Sequence, residues 1–357
     1  MRLFLLAAVA ALVATSAAAF PVGERHLQTT EASAALRDAQ HRDTLRITVW
    51  YPASAATEEE DVTIGPPDRA LFYVGQAKAD AAYADDRRRP VILLSHGFGG
   101  TACMMGWFGI IMAQQGYIVI AVDHPGNNGQ DPMTIAGAKL SWERAGDLAA
   151  ALARVRTDAA LGPRLDMMRV GVAGFSAGGF TSLVAAGARV DLDRLEAFCT
   201  ERPDDGVCRP QKEFPVTREE GKAFLASPEA APSVARARTD LSIPEVRAAF
   251  LMAPAIVQAL DPRSLTSLTT PVAIILGDSD EVAPPNTNGG VVARAIPGAR
   301  LKVLARVGHY DFLSQCTPAG YQAQVAVCPT AVPRSETHHA ALEAALQFFN
   351  RTLGGPP

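Results

Sequence analysis

The 357-residue chain is 48% hydrophobic and 20% charged, enough apolar residue for one large buried core in a single domain or two smaller ones. Its formal net charge is −4, and no Lys/Arg cluster with interleaved aromatics stands in it, so a nucleic acid or other polyanion is not the expected partner. No internal repeat or long low-complexity run divides it.

Residues 1–14 open with one positive charge at Arg2 and an apolar run, and Ala17-Ala18-Ala19 supplies small residues for cleavage. Residues 1–19 are therefore expected to be a secretory signal peptide, with residues 20–357 forming one domain. The apolar run is short for a span, and no Cys lies at the cleavage point as a lipoprotein would require. No later segment is long and apolar enough to cross a bilayer, so no stable membrane insertion is expected. Five cysteines fit an oxidising compartment. Cys199 and Cys208 are close in a polar stretch, as are Cys316 and Cys328, so two local disulfides are the economical pairing, and Cys103 is left as a thiol among apolar neighbours.

In chain order, residues 20–27 read as an extended lead-in. Residues 44–51 alternate polar and apolar like a half-buried antiparallel strand that Pro52 ends. Residues 53–89 are acidic and irregular and read as a surface excursion, with Arg87-Arg88-Arg89 a solvated loop before the next strand. Residues 90–95 are a continuous apolar run, the pattern of a strand buried on both faces, and deliver His96-Gly97-Phe98-Gly99-Gly100 at its end. An apolar helix is expected over residues 102–115. A second buried strand, residues 117–123, ends in His124-Pro125-Gly126-Asn127-Asn128. Ser141 then starts a helix with Ala145, Leu148, Leu152 and Val155 on one face.

Residues 168–175 form an apolar strand that runs straight into Gly174-Phe175-Ser176-Ala177-Gly178. This is the G-x-S-x-G nucleophile elbow of an α/β-hydrolase, in which a serine is held on a sharp strand-to-helix turn with almost no room for flanking side chains. In that fold the amides of Phe98 and Ala177 are the expected oxyanion hole. The alternation of strand and helix predicts a mostly parallel central sheet with helices on both faces. Residues 189–242 break the rhythm with charges, prolines and the first Cys pair, and read as a cap insertion. Core strands resume at 246–252, 271–276 and 301–307, and a last helix starts near Ser335.

A serine hydroxyl needs a base to take its proton and a carboxylate to orient that base. Gly277-Asp278-Ser279-Asp280 and Gly308-His309-Tyr310-Asp311 each follow a predicted strand, so His309 is the candidate base and Asp278 or Asp280 the acid. His96 and His124 sit at strand ends, as structural groups or pocket lining. No His pair has metal-ligand spacing, and the Gly-rich loops lack a P-loop Lys and the dinucleotide fingerprint, so neither metal nor cofactor is expected.

The chain resembles the predicted dienelactone hydrolases that are similar to platelet-activating-factor acetylhydrolases. The resemblance is carried by Val22-Gly23-Glu24-Arg25, Val49-Trp50-Tyr51-Pro52, Ser95 to Gly100, Val122 to Gly126, the Ser176 elbow, Gly277 to Pro284 and Gly308 to Leu313. It implies an α/β-hydrolase fold and a Ser176, Asp280, His309 triad acting on carboxylic esters. The chain departs from the family by a Ser where dienelactone hydrolases proper have Cys, and by Phe175 where the acetylhydrolases carry His. The expected function is a secreted or periplasmic serine esterase for short-chain or small soluble esters. The alternatives are a phospholipid deacylase, a secreted peptidase or acyltransferase with the same triad, and a binding protein on a hydrolase scaffold. The charged composition of 189–242, with only Leu192, Leu195 and Phe198 as an apolar face, points away from a lipase lid. Phe98, Trp107 and Phe175 are candidate pocket walls.

Overall fold

The computed structural model describes residues 19–357, so all but the last residue of the expected leader lies outside the described residues. Strands β1 (Val22–Thr30), β2 (Thr44–Pro52), β3 (Glu60–Ile64), β4 (Phe72–Ala79), β5 (Arg89–Ser95) and β6 (Ile118–Asp123) precede β7 (Leu165–Phe175), the strand of the elbow. After it come β8 (Val246–Met252), β9 (Val272–Gly277), β10 (Arg300–Leu304) and the short β11 (Gln315–Cys316). The sheet runs β10-β9-β8-β7-β5-β6-β2-β1-β4-β11, with β3 on β4. Strands β5 to β10 pair in parallel, whereas β2 joins β6 and β1 joins β2 antiparallel.

Parallel pairing demands crossovers, and the chain supplies them as helices. In chain order the helices are α1 (Ala34–Arg37), α2 (Gly106–Gln114), α3 (Ile135–Lys139), α4 (Arg144–Arg156) and α5 (Ala177–Ala185), then α6 (Leu192–Glu201), α7 (Arg218–Leu225), α8 (Ala231–Ala237) and α9 (Pro262–Thr266), with α2 to α5 and α9 between parallel strands. The chain ends with α10 (Gly289–Ala295), α11 (Pro318–Gln322) and α12 (Arg334–Phe349). One face of the sheet buries Leu148 and Leu152 of α4 with Phe180 and Leu183 of α5. The other buries Phe108 and Ile110 of α2 with Phe348 and Phe349 of α12. This is the α/β layering that the alternating pattern predicts.

Three expectations need correction. Residues 53–89 are not all surface excursion, because β3 and β4 extend the sheet. Phe72 and Val74 point inward with Tyr73 out between them, but a register shift opposite Val62/Thr63 puts Ala77 inward and Gln76 out, so the period of two is broken as well as diluted by small and polar residues. Arg89 is not solvated: it is fully buried, its guanidinium 4.4 Å from the centre of the Phe20 ring and 2.8 Å from Asp85. Finally, β10 is an edge strand with Leu301 and Val303 exposed rather than a core strand.

Beneath the ends of β5 and β6 lies a buried polar cluster. Arg37 donates to both oxygens of Asp147, at 2.6 and 2.8 Å, and Asp147 also meets His124 Nδ1 at 2.8 Å. His124 Nε2 lies 2.9 Å from Ser95 Oγ, its backbone N–H donates to His96 Nε2 at 3.1 Å, and Arg144 donates to the His96 carbonyl. These bonds fix Ser95 and His96 just ahead of Phe98, so His96 and His124 are structural. Burial lowers the pKa of Asp147's partner His124 to about 3, with Arg144 adding repulsion, and burial also takes His338 to about 3 and His96 well below its ordinary value.

Each of these histidines is neutral in the fold but takes a proton near pH 6.5 once unfolded. Their folded pKa values are depressed, so the stability they contribute is complete above pH 6.5 and is lost as pH falls toward 3. Urea unfolding is expected to show a decline over pH 6.5 to 4, steepening by about 1.4 kcal/mol per pH unit for each proton taken up. His338→Gln, which keeps a donor for the Leu313 carbonyl that His338 Nε2 meets at 2.9 Å, should remove one proton's share of that slope. An unchanged slope would contradict the assignment.

Candidate active site

Ser176 joins β7 to α5 with φ 56° and ψ −119°, a backbone conformation that costs a non-glycine residue about 1–3 kcal/mol. Neighbouring backbone holds it there. Its N–H donates to the Met252 carbonyl at 2.9 Å, and its carbonyl accepts from Gly179 at 2.8 Å and Ala255 at 3.1 Å. The turn is so tight that a Cβ at 174 would fall 2.1 Å from the Gly178 carbonyl oxygen, and one at 178 would fall 2.0 Å from that of Ser95. Glycine is required at both positions for space.

His309 begins a short helical turn after β10, and Asp280 lies in the loop after β9. The imidazole Nε2 is 2.8 Å from Ser176 Oγ and Nδ1 is 2.6 Å from Asp280 Oδ2. A carboxylate only accepts, so Nδ1 carries the proton and Nε2 is left to accept from the hydroxyl. The other Asp280 oxygen accepts from the N–H groups of Val282 at 2.9 Å and Ala283 at 2.7 Å, which fixes the carboxylate's orientation. All three side chains are at most 6% exposed. Asp278 is exposed and turns elsewhere, accepting from the Arg306 N–H at 2.7 Å and from Ser279 Oγ at 2.9 Å. The structure thus brings Asp280, and not Asp278, to the imidazole.

Phe98 and Ala177 both border the cavity with Ser176, and among the described residues neither N–H has a hydrogen-bond acceptor. Ala177 heads α5, whose amide dipoles favour negative charge there. The Phe98 loop is tied down by the Gly99 N–H donating to Asn127 Oδ1 at 2.8 Å. Two free N–H groups beside a serine hydroxyl can receive a developing oxyanion.

The cavity over Ser176 measures about 440 Å³. Its walls come from Phe98 and Phe180, from Leu192 and Leu195 of α6, and from Phe214 and Val216. Phe214, Val216 and the half-buried Lys139 have no signal in the sequence, since the first two lie in an irregular stretch and Lys139 ends a helix of five residues, too short for periodicity to mark it. Trp107 and Phe175 are core rather than wall. Trp107 stacks on His338 at 3.7 Å and donates to the Phe312 carbonyl at 2.9 Å, which anchors the His309 turn from behind. Phe175 packs against the imidazole at 4.9 Å between ring centres.

Cys199–Cys208 and Cys316–Cys328 are bonded. The first pair borders the cavity, and the second closes a loop soon after His309. Cys103 is free and half-buried, and burial pushes its thiol up to about 12. Among the described residues no cluster of three His, Cys, Asp or Glu side chains could hold a metal, and no helix is long and apolar enough to cross a membrane.

The sequence model of a family described as PETase, PET hydrolase-like, matches residues 82–203, roughly a third of the chain. The match includes Phe98, Ser176 and Ala177 and stops before Asp280 and His309. No curated protein matches the chain. Among solved structures, a ferulic acid esterase from Streptomyces cinnamoneus is similar with a TM-score of 0.61 and 22% identity, over 97% of this chain and 94% of that one. With the parallel sheet, the helices on both its faces and the elbow at its centre, the chain is an α/β-hydrolase by fold.

Proposed function

We infer that the chain is a secreted or periplasmic serine carboxylic-ester hydrolase acting on small soluble esters. The observation that carries this reading is the buried line of hydroxyl, imidazole and carboxylate at Ser176, His309 and Asp280, opening on a largely apolar cavity. Ser176 Oγ attacks the ester carbonyl while His309 Nε2 takes its proton, and Asp280 stabilises the imidazolium. The Phe98 and Ala177 N–H groups hold the oxyanion. His309 then protonates the departing alcohol, and a water deprotonated by the same imidazole releases the acid.

The PET hydrolase-like family model and the fold shared with a ferulic acid esterase support this reading. Two disulfides fit export, as does the basic-then-apolar opening of the sequence. Residues 189–242 serve in this reading as a cap. The wall they help form around a cavity of about 440 Å³ suits a single small molecule better than a polymer surface or an oil interface.

Ser176→Ala and His309→Ala should each cut turnover of p-nitrophenyl butyrate by about 10⁴-fold or more with circular dichroism unchanged. Full activity in a folded variant would remove the mechanism. Asp280→Asn should lose on the order of 10⁴ in kcat, by analogy with the orienting aspartate of serine proteases. Asp278→Asn should instead lower Tm, because its carboxylate braces the loop. A larger kinetic loss from Asp278→Asn at constant Tm would reverse the assignment. Rates should fall from p-nitrophenyl butyrate to palmitate without a jump when micelles form, and such a jump would indicate a lipase.

A further inference from the structure

Lys139 ends α3 and borders the same cavity as Ser176. Its aliphatic stem and ammonium lie against α7 where that helix has no side chain: a Cβ at Gly221 would fall 2.4 Å from Lys139 Cε and 2.9 Å from Nζ. Three of the four other cations around it have carboxylate partners, and Arg209 has none among the described residues. Arg218 and Lys222 both reach Glu196, at 2.5 and 3.1 Å, and Arg238 reaches Asp193 at 3.3 Å. No carboxylate or other acceptor among the described residues bonds the Lys139 ammonium, although the residue is half-buried. Lys139, Arg209, Arg218, Lys222 and Arg238 face only Asp193 and Glu196 around the cavity, in a chain whose net charge is −4.

An ammonium partly withdrawn from water without an acceptor is costly, and an anion arriving with the substrate would offset that cost. Burial indeed lowers the pKa of Lys139, against the pull of Glu220 and Glu196. Phosphate-sized polyanions are poorly served, since the Arg218 and Arg238 guanidinium groups are already engaged by Glu196 and Asp193. A single carboxylate at the end of an apolar chain suits one free ammonium beyond apolar walls.

We propose that Lys139 is a specificity-determining residue, and that the preferred ester carries a carboxylate remote from its scissile bond. This rests on the esterase reading of Ser176. The substrate class is a half-ester of a dicarboxylic acid, or an ester with an equivalent terminal carboxylate.

The test compares mono-4-nitrophenyl esters of adipic, suberic and sebacic acids with their methyl-capped counterparts on the full chain. At low salt, kcat/KM for the best free acid should exceed that of its capped form by about tenfold or more, the scale of one charge-assisted hydrogen bond. Lys139→Met should bring the ratio near one, Lys139→Arg should retain it and Lys139→Glu should reverse it. A ratio near one in the unmodified chain at all three lengths, or a ratio unmoved by Lys139→Met, overturns the proposal while leaving the esterase reading intact. Calorimetry on Ser176→Ala, with monomethyl suberate against dimethyl suberate, reads recognition without turnover. Tighter binding of the acid that needs Lys139 supports the proposal even if no ester is hydrolysed, in which case the esterase reading alone fails.

Discussion

The backbone of Ser176 is held at φ 56° by contacts that leave no room for a side chain at 174 or 178, and the rest of the site is arranged around that constraint. In a parallel sheet all strand ends of one polarity share one edge, so the loops after β5, β7, β9 and β10 converge there. Phe98, Ser176, Asp280 and His309 each follow one of those strands. The sheet therefore supplies the distances, and the loops need only supply the residue types. The strained turn is held by the Ser176 N–H donating to the Met252 carbonyl and by the Gly179 and Ala255 N–H groups donating to the Ser176 carbonyl.

Support from the opposite side is polar rather than apolar. Arg37, Asp147, His124, Ser95, His96 and Arg144 form a buried cluster that ties α1 and α4 to the ends of β5 and β6. A buried ion pair adds little net stability, but loss of one partner leaves a charge stranded and costs about 3–5 kcal/mol. The cluster thus works as a register device: only one seating of α4 satisfies Arg37, His124 and the His96 carbonyl together. Phe98 inherits its position from that seating, two residues beyond His96.

What the sequence disclosed, and what it hid, follows from how local each feature is. The elbow is legible because its five residues must satisfy a steric rule among themselves. Strands β5, β6 and β7 are legible because burial on both faces leaves an unbroken apolar run. Strand β4 is hidden because its inward positions include Ala77 and its outward ones Tyr73, which inverts the usual contrast of size and polarity. Asp278 and Asp280 differ by two residues and by which way the loop turns, a choice made by the amides of Val282 and Ala283 and by Arg306. Lys139 and Phe214 meet the cavity only through the packing of 189–242 on α3, which no short window of sequence contains.

The path of the chain after β10 gives the site an order in time. His309 follows Ser176 by 133 residues, and the segment beyond it crosses from one edge of the sheet to the other, where β11 pairs with β4. At a usual synthesis rate of about 5–20 residues per second, the elbow precedes His309 by on the order of ten seconds. Throughout that interval a growing chain holds Ser176 without the imidazole that its hydroxyl meets in the fold. On the proposed mechanism reactivity therefore begins only once residue 309 has been added, and a product cut short before it carries the elbow as an inert turn.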